Sequence, residues 1–145
     1  MRNFVTKVAL AILLPILSVQ QAAHAEAGED LAMHIAIDGS TFTARLENNS
    51  SARAFAALLP LTLRMEDLHR NEKYHNLKMS LPSRPEAVGH VGAGDIMLFG
   101  DNCVVIFYKS FATSYRYTRL GRVDDAHALE QACGGNGVTV MFSKP

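Results

Sequence analysis

DIMLFGDNCVVIFYK, residues 95–109, contains two short apolar runs separated by Gly100, Asp101 and Asn102. Both runs are rich in β-branched and aromatic residues, which favour strands, and the polar segment between them is typical of a turn. The second run is almost continuously apolar, as expected of a strand that is covered on both faces. We therefore predict two adjacent strands here, with the second at the centre of the core.

Alternating apolar and polar residues extend the strand pattern towards both ends of the chain. The first two runs surround Asp38-Gly39 and form a hairpin signal, because glycine accepts the positive φ of a tight hairpin turn. Residues 66–71 are polar and are predicted to loop out, and residues 78–94 are predicted to form a long loop rich in proline and glycine. The other predicted strands are 61–65, 72–77, 115–123 and 138–142.

Two segments change to helical spacing. In residues 49–60, polar capping residues precede good helix formers, and Pro60 ends the run. Asp124-Asp125-Ala126 is predicted to cap a second helix, which glycines at 134 and 135 end. Helices this short are not stable alone. About eight strands with two short helices favour a mainly β domain, a closed barrel whose open ends the helices cap.

Composition and charge exclude several classes of protein. The 145 residues suit one domain, and 48% hydrophobic with 19% charged residues exclude a disordered tail protein. The formal net charge is zero. The whole chain therefore has no electrostatic field that would hold nucleic acid or an anionic membrane.

The N-terminus has the three parts of a secretory signal peptide. Basic Arg2 and Lys7 precede an apolar run at 8–19, and the segment ends in Ala23-His24-Ala25. We predict residues 1–25 to be the signal peptide and 26–145 to be the domain, periplasmic or secreted after cleavage. The apolar run is shorter than the roughly twenty residues that span a bilayer, so stable membrane insertion is not expected.

Export bears on the two cysteines, Cys103 and Cys133, because an oxidising compartment permits them to pair. The alternative is two buried thiols that act as small hydrophobic side chains. The sequence leaves both readings open. It does exclude one redox class, since there is no Cys-x-x-Cys motif.

The order of these elements resembles the bacterial cyclophilin-like fold proteins. The matching blocks extend from about Met33 to Phe142 and include the helix SARAFAALLPL at 51–61 and the segments EKY at 72–74, GDIMLFG at 94–100, FYKSFATSY at 107–115 and YTRLGRVD at 117–124. The resemblance implies a closed eight-stranded cyclophilin-like β-barrel capped by two short helices. It also implies kinship in fold with the cyclophilins that isomerise prolyl bonds.

Cyclophilins carry a Phe-His-Arg segment after the first helix and a Gln-Gly-Gly segment on the next strand. The corresponding places read Leu63-Arg64-Met65 and Lys73-Tyr74-His75-Asn76, so that Arg64 alone matches by position. An isomerase needs this arginine at the prolyl amide, beside an apolar groove for the ring. Arg64 is therefore the catalytic candidate if the protein is a divergent prolyl isomerase.

Other catalytic patterns are lacking in the sequence. The histidines show no i, i+4 pair and no cysteine partner at ligand spacing, which argues against a metal site. No Gly-x-Ser-x-Gly elbow is present. The glycines at 89–94 precede a strand, whereas a phosphate-binding loop follows a strand and opens a helix. We predict neither a metal nor a cofactor.

The block from Tyr108 to Arg119 is rich in tyrosine and arginine, which make binding anchors because they join large apolar area to a hydrogen-bonding tip. Strand alternation places Tyr115, Tyr117 and Arg119 on one face. We predict a non-catalytic module that binds a small molecule or a peptide, with the loop 78–94 as its lid; a structural or accessory module is the other alternative. The predicted ligand-binding residues are Tyr74, Tyr108, Ser110, Tyr115, Tyr117 and Arg119.

Overall fold

The structure is a computed structural model that describes residues 31–145; the predicted signal peptide, residues 1–25, lies outside the described residues. Within 31–145 the chain forms eleven strands and two short helices. In chain order these are β1 (Ala32–Ile37), β2 (Ser40–Leu46), α1 (Ser50–Ala56), β3 (Leu61–Leu68), β4 (Glu72–Asn76), β5 (Glu86–Ala87), β6 (His90–Val91), β7 (Asp95–Phe99), β8 (Cys103–Phe107), β9 (Phe111–Ala112), β10 (Arg116–Val123), α2 (Leu129–Cys133) and β11 (Val138–Ser143).

Eight of the strands close into an antiparallel barrel. Their order is β2-β1-β11-β3-β4-β8-β7-β10, and β10 pairs back onto β2. Of the remaining strands, β5 adds to β10, while β6 and β9 form a separate two-stranded sheet. The predicted closed eight-stranded barrel with two short helices is confirmed.

Closure of the barrel depends on a glycine in β10. A Cβ atom at Gly121 would lie 2.5 Å from the backbone carbonyl oxygen of Arg45 in β2, far inside van der Waals contact. The pairing of β10 with β7 shifts register between Arg119 and Gly121, which marks a bulge. The bulge and the missing side chain together let β10 approach β2 closely enough to close the ring.

The barrel interior is the main core, with inward hydrophobic side chains from seven of the eight barrel strands, all but β4, and one end covered by α1. The side chain of Asn49 caps α1 by accepting a hydrogen bond from the backbone nitrogen of Ala52 at 2.7 Å. Phe55 is fully buried, and its ring meets that of Phe142 edge-on at 5.3 Å. The second helix differs from the prediction. It begins only at Leu129, and the residue at its N-cap position, Ala128, forms no side-chain capping hydrogen bond.

Two loop predictions were wrong in part. Residues 66–68 continue β3, and the connection to β4 is a tight turn in which His69 and Arg70 both have φ of +54°. Asp67 and Lys73 carry opposite charges and face each other across this hairpin, which favours its extension.

The long loop at 78–94 contains β5 and β6, because its backbone pairs with β10 and β9.

The two cysteines are free thiols. Cys133 lies in the main core, whereas Cys103 packs with side chains on the outside of the barrel wall. Of the two alternatives that the sequence leaves open, the structure has the unpaired one. Within residues 31–145, none of the helices is long and apolar enough to cross a membrane.

Candidate functional site

A second apolar cluster lies on the outside of the barrel. Val104 and Ile106 of β8 point into the main core, so the alternating side chains of Val105 and Phe107 point outward. The short strands β5, β6 and β9 and their loops lie beside this face and contribute Val88, Val91 and Phe111. We call this group the outer cluster: Val91, Met97, Val105, Phe107 and Tyr117, with Tyr74, Val88, Cys103 and Phe111 packed against them.

Five aromatic rings form a continuous row across this face, which we call the aromatic row: Tyr115, Phe99, Tyr117, Phe107 and Phe111. Successive ring centroids are 5.8, 5.7, 5.4 and 5.7 Å apart, within the range of edge-to-face and tilted ring contacts. Two rings at one end are open to solvent, since Tyr115 is 64% and Phe99 46% exposed. Exposed aromatic rings beside a buried apolar cluster are typical of a binding surface.

Glu72 lies at the edge of the outer cluster and was missed by the sequence analysis. In β4 it faces outward, opposite Phe107 of β8 in register, and only 9% of the residue is exposed. Its carboxylate has no hydrogen bond and no ion pair among the described residues. Burial raises the pKa of this carboxyl, and the nearby His69 offsets part of that effect.

The charge of Glu72 acts on neighbours in the outer cluster. The pKa values of Tyr117 and Cys103 are both raised, first by their own burial and then by the Glu72 carboxylate. The Glu72 carboxylate therefore disfavours a negative charge on either of these two groups. We call Glu72, Tyr74, Cys103 and the aromatic row the outer-face site.

Replacing Glu72 with glutamine is expected to raise the free energy of unfolding at pH 7 by on the order of 1 kcal/mol, because an amide costs less to bury than a carboxylate. The folded pKa lies above the ordinary value of 4.5, so the native chain binds more protons and wild-type stability falls as pH rises through this range. The gain should therefore shrink below about pH 4.5. Urea unfolding from pH 4 to 8 measures it, with the exposed Glu47→Gln as the neutral control. Parallel pH profiles for wild type and Glu72→Gln would contradict the assignment.

Four of the six predicted ligand-binding residues share the outer face. Tyr115 and Tyr117 are members of the aromatic row. Tyr74 packs against the outer cluster, and its hydroxyl donates a hydrogen bond to Glu66 at 2.9 Å, which raises the pKa of Tyr74. Arg119 Nε donates to Glu86 Oε1 at 2.8 Å and so joins β10 to β5. The predicted lid therefore lies against this face.

The other two predicted residues lie elsewhere. Tyr108 is buried in the main core, and its hydroxyl donates to Asp67 Oδ1 at 2.5 Å. Ser110 is exposed, and its Oγ accepts a hydrogen bond from the backbone nitrogen of Ala93 at 2.9 Å. The hydrogen bonds of Tyr108 and Ser110 have a structural role at these positions. The structure therefore does not bring all six predicted ligand-binding side chains into one group.

Tyr108 belongs instead to a buried polar network around Lys73. The Lys73 ammonium is fully buried and donates to Asp67 Oδ1 at 2.8 Å and to the carbonyl oxygens of Gly134 and Asn136 at 3.2 and 2.5 Å. It also lies 5.3 Å from the centre of the Tyr108 ring. Burial acts to raise the pKa of Asp67, but hydrogen bonds from Lys73 and Tyr108 outweigh it and lower that pKa. Since an ammonium has three donors and all are used, this network is structural.

Arg64, the candidate of the isomerase alternative, points away from the outer cluster. It pairs in register with Thr139 of β11, and its guanidinium lies next to Gly137. Together with Asp38 these residues line a hollow of about 290 Å³. The arginine therefore does not face the aromatic rings that would form an apolar groove.

A larger cavity of about 520 Å³ lies at the end of the barrel that α1 covers. Its walls are mostly apolar and include Leu46, Ala56 and Leu59, with Arg53 and Lys144 among the lining residues. None of the predicted site residues lines it. Within residues 31–145, no three histidine, cysteine, aspartate or glutamate side chains are grouped as a metal site would require.

Comparison with known proteins gives a family. The family model of the cyclophilin-like family matches residues 35–143. Among solved structures, that of McbB in complex with tryptophan superposes with a TM-score of 0.60 at 18% sequence identity, over 77% of this chain and 44% of that one, which shows a shared fold. This chain spans less than half of the McbB chain, and no curated protein matches. The match over most of the sequence means that the chain belongs to the cyclophilin-like family.

Proposed function

We propose that this protein is an exported binding module that holds a small molecule or a short peptide at the outer-face site without chemically converting it. The observation that carries the proposal is the aromatic row, which is exposed at one end and has the unpaired carboxylate of Glu72 beside its buried part. A mostly apolar surface with one well-placed polar group is the usual composition of a small-molecule site.

A ligand with a flat apolar part fits this surface best. Aromatic rings offer such a ligand both stacking and edge-to-face contact, each worth about 0.5–1.5 kcal/mol beyond the buried area. McbB, a structural neighbour, has been solved with tryptophan, itself an aromatic small molecule. A structural neighbour that was solved with an aromatic small molecule supports the proposal.

Ligand binding is tested by NMR titration of the full chain with a library of aromatic small molecules and short peptides. We expect shifts at the amides of the outer-face site, and about a fivefold loss of affinity in Tyr115→Ala, since one aromatic contact corresponds to roughly 1 kcal/mol. Met141→Ala is the matched control, because Met141 is also an exposed large apolar residue but lies in β11. Failure of every compound to bind would favour a structural or accessory module.

The non-catalytic part of the proposal needs a separate assay. A coupled prolyl isomerisation assay on the same protein should show no acceleration, because Arg64 faces Gly137 and not the aromatic row. Acceleration that disappears in Arg64→Ala would replace the binding function with catalysis.

Export rests on the sequence of residues 1–25 alone. Expression of the full chain in a bacterium, followed by fractionation and mass spectrometry, should recover a periplasmic or secreted form that begins at Glu26. A product retained in the cytoplasm with residues 1–25 intact would contradict export.

A further inference from the structure

We propose that the ligand of the outer-face site carries a cationic group, an ammonium or a guanidinium, which pairs with the carboxylate of Glu72. This inference rests on the proposed function, since it names the chemical class of ligand for the same site. Its basis is the placement of one unpaired carboxylate, on a residue that is only 9% exposed, next to the aromatic row, opposite Phe107 in register.

The first step concerns the missing partner. A buried carboxylate is costly to desolvate unless an opposite charge or hydrogen-bond donors compensate it. Other carboxylates of this region have such partners, because Asp67 binds Lys73, Glu86 binds Arg119 and Asp95 binds Arg122. Glu72 has none among the described residues, although only 9% of it is exposed. A cation supplied by a ligand would complete the pair.

The second step concerns which protein cations face Glu72. Neighbouring Lys73 points to the other side of β4, where its three donors are occupied. His69, in the turn before β4, interacts with Glu72 electrostatically but forms no ion pair with it. The negative charge of Asp67 also acts on Glu72 and disfavours its ionised form, so a cation at this position would be stabilising. No basic side chain among residues 31–145 therefore satisfies the carboxylate directly.

The third step concerns the rings. The face of an aromatic ring attracts a cation through the negative charge of its π electrons, most strongly where water is excluded. Phe107 lies opposite Glu72 in register, but the rings of Phe107 and Tyr117 are both buried. The exposed end of the aromatic row, Phe99 and Tyr115, continues from Tyr117 at 5.7 Å between centroids and gives a ligand its open ring faces. A carboxylate beside aromatic rings favours a cationic donor over a neutral or anionic group.

The test uses three probes of matched size that differ in charge: 2-phenylethylamine, 2-phenylethanol and phenylacetate. Each is titrated into the full chain while amide shifts are recorded by NMR. We expect the amine to bind at the outer-face site about tenfold more tightly than the alcohol, and phenylacetate to bind most weakly, since one charge-assisted contact is worth about 1.4 kcal/mol or more.

Glu72→Gln keeps the shape of the side chain and removes its charge. In this variant the affinity of the amine should fall to within about twofold of that of the alcohol. Glu47→Gln is the matched control, because Glu47 is exposed, and it should keep the tenfold preference. The thermal melting temperature of each variant verifies that the fold is retained.

Each outcome decides something different. Equal binding of amine and alcohol to the wild-type outer face would overturn the cation inference but leave the proposed binding function standing. A preference for the amine that survives in Glu72→Gln would also overturn it. Absence of binding by all three probes, or shifts confined to other parts of the barrel, would overturn the inference and count against the proposed function as well.

Discussion

Replacing Lys73 with methionine is expected to lower the free energy of unfolding by about 3–5 kcal/mol, the usual cost of leaving one member of a buried ion pair without its partner. Methionine fills a similar volume but has no donor. Asp67 would keep its charge beside Tyr108, and the carbonyl oxygens of Gly134 and Asn136 would lose the ammonium that now joins them. Urea unfolding at pH 7 measures the loss.

Lys109→Met is the matched control for Lys73→Met. Lys109 forms an exposed ion pair with Glu130 at 3.3 Å, and such pairs contribute at most about 1 kcal/mol. Adding Asp67→Leu to Lys73→Met should restore part of the stability, because the double variant no longer buries a lone charge. A loss below about 1 kcal/mol in Lys73→Met would show that water reaches the network and compensates the carboxylate.

The same network predicts a pH dependence with a defined sign. Because Asp67 has a folded pKa below its ordinary value of 3.8, it contributes stability above that value and loses it as pH falls towards the lower folded pKa. The wild-type chain should lose this contribution on acidification below about pH 4. Lys73→Met removes the main favourable partner of the carboxylate, so acidification should destabilise that variant less than it does the wild type.

The sequence predicts the barrel well because its signals are local. Residues 95–109 and the Asp38-Gly39 turn identify strands through alternation and turn chemistry, and both occur as predicted. The end of β3 was missed because Glu66, Asp67 and the residues after them read as a polar loop when the inward position of Asp67 is unknown. That position depends on Lys73, which lies across the hairpin.

The candidate site was only partly predictable for a related reason. Alternation correctly groups Tyr117 and Arg119 on one face of β10. Tyr115, just before that strand, joins them through its ring contact with Phe99. Alternation does not relate β4 to β8, so the sequence does not reveal that Glu72 lies opposite Phe107. The sequence also does not show which of Glu72 and Lys73 points inward, because both are charged. The register of β4 with β8 determines this. The signal that was available is the opposite charge of Asp67 and Lys73 across a short turn.

Replacing Phe55 with alanine is expected to lower the free energy of unfolding by about 3–5 kcal/mol, the range for deleting a buried phenylalanine ring. Phe55 is fully buried in α1 and packs edge-on against Phe142 of β11. The seven residues of α1 are too few for a helix that is stable alone. We therefore expect the amides of α1 to exchange hydrogen faster than the barrel strands do, which hydrogen-exchange mass spectrometry measures together with urea unfolding.

Phe99→Ala is the matched control for Phe55→Ala, because it deletes the same ring from a position that is 46% exposed. Its cost should be about 1 kcal/mol, the value of its contacts with Tyr115 and Tyr117. If α1 closes the end of the barrel, Phe55→Ala should also speed hydrogen exchange in the strands that α1 covers, whereas Phe99→Ala should not. The prediction would be contradicted if Phe55→Ala lowered the free energy of unfolding by less than about 1 kcal/mol, or by no more than Phe99→Ala does. Either result would show that the strands of the barrel bury enough apolar surface without α1.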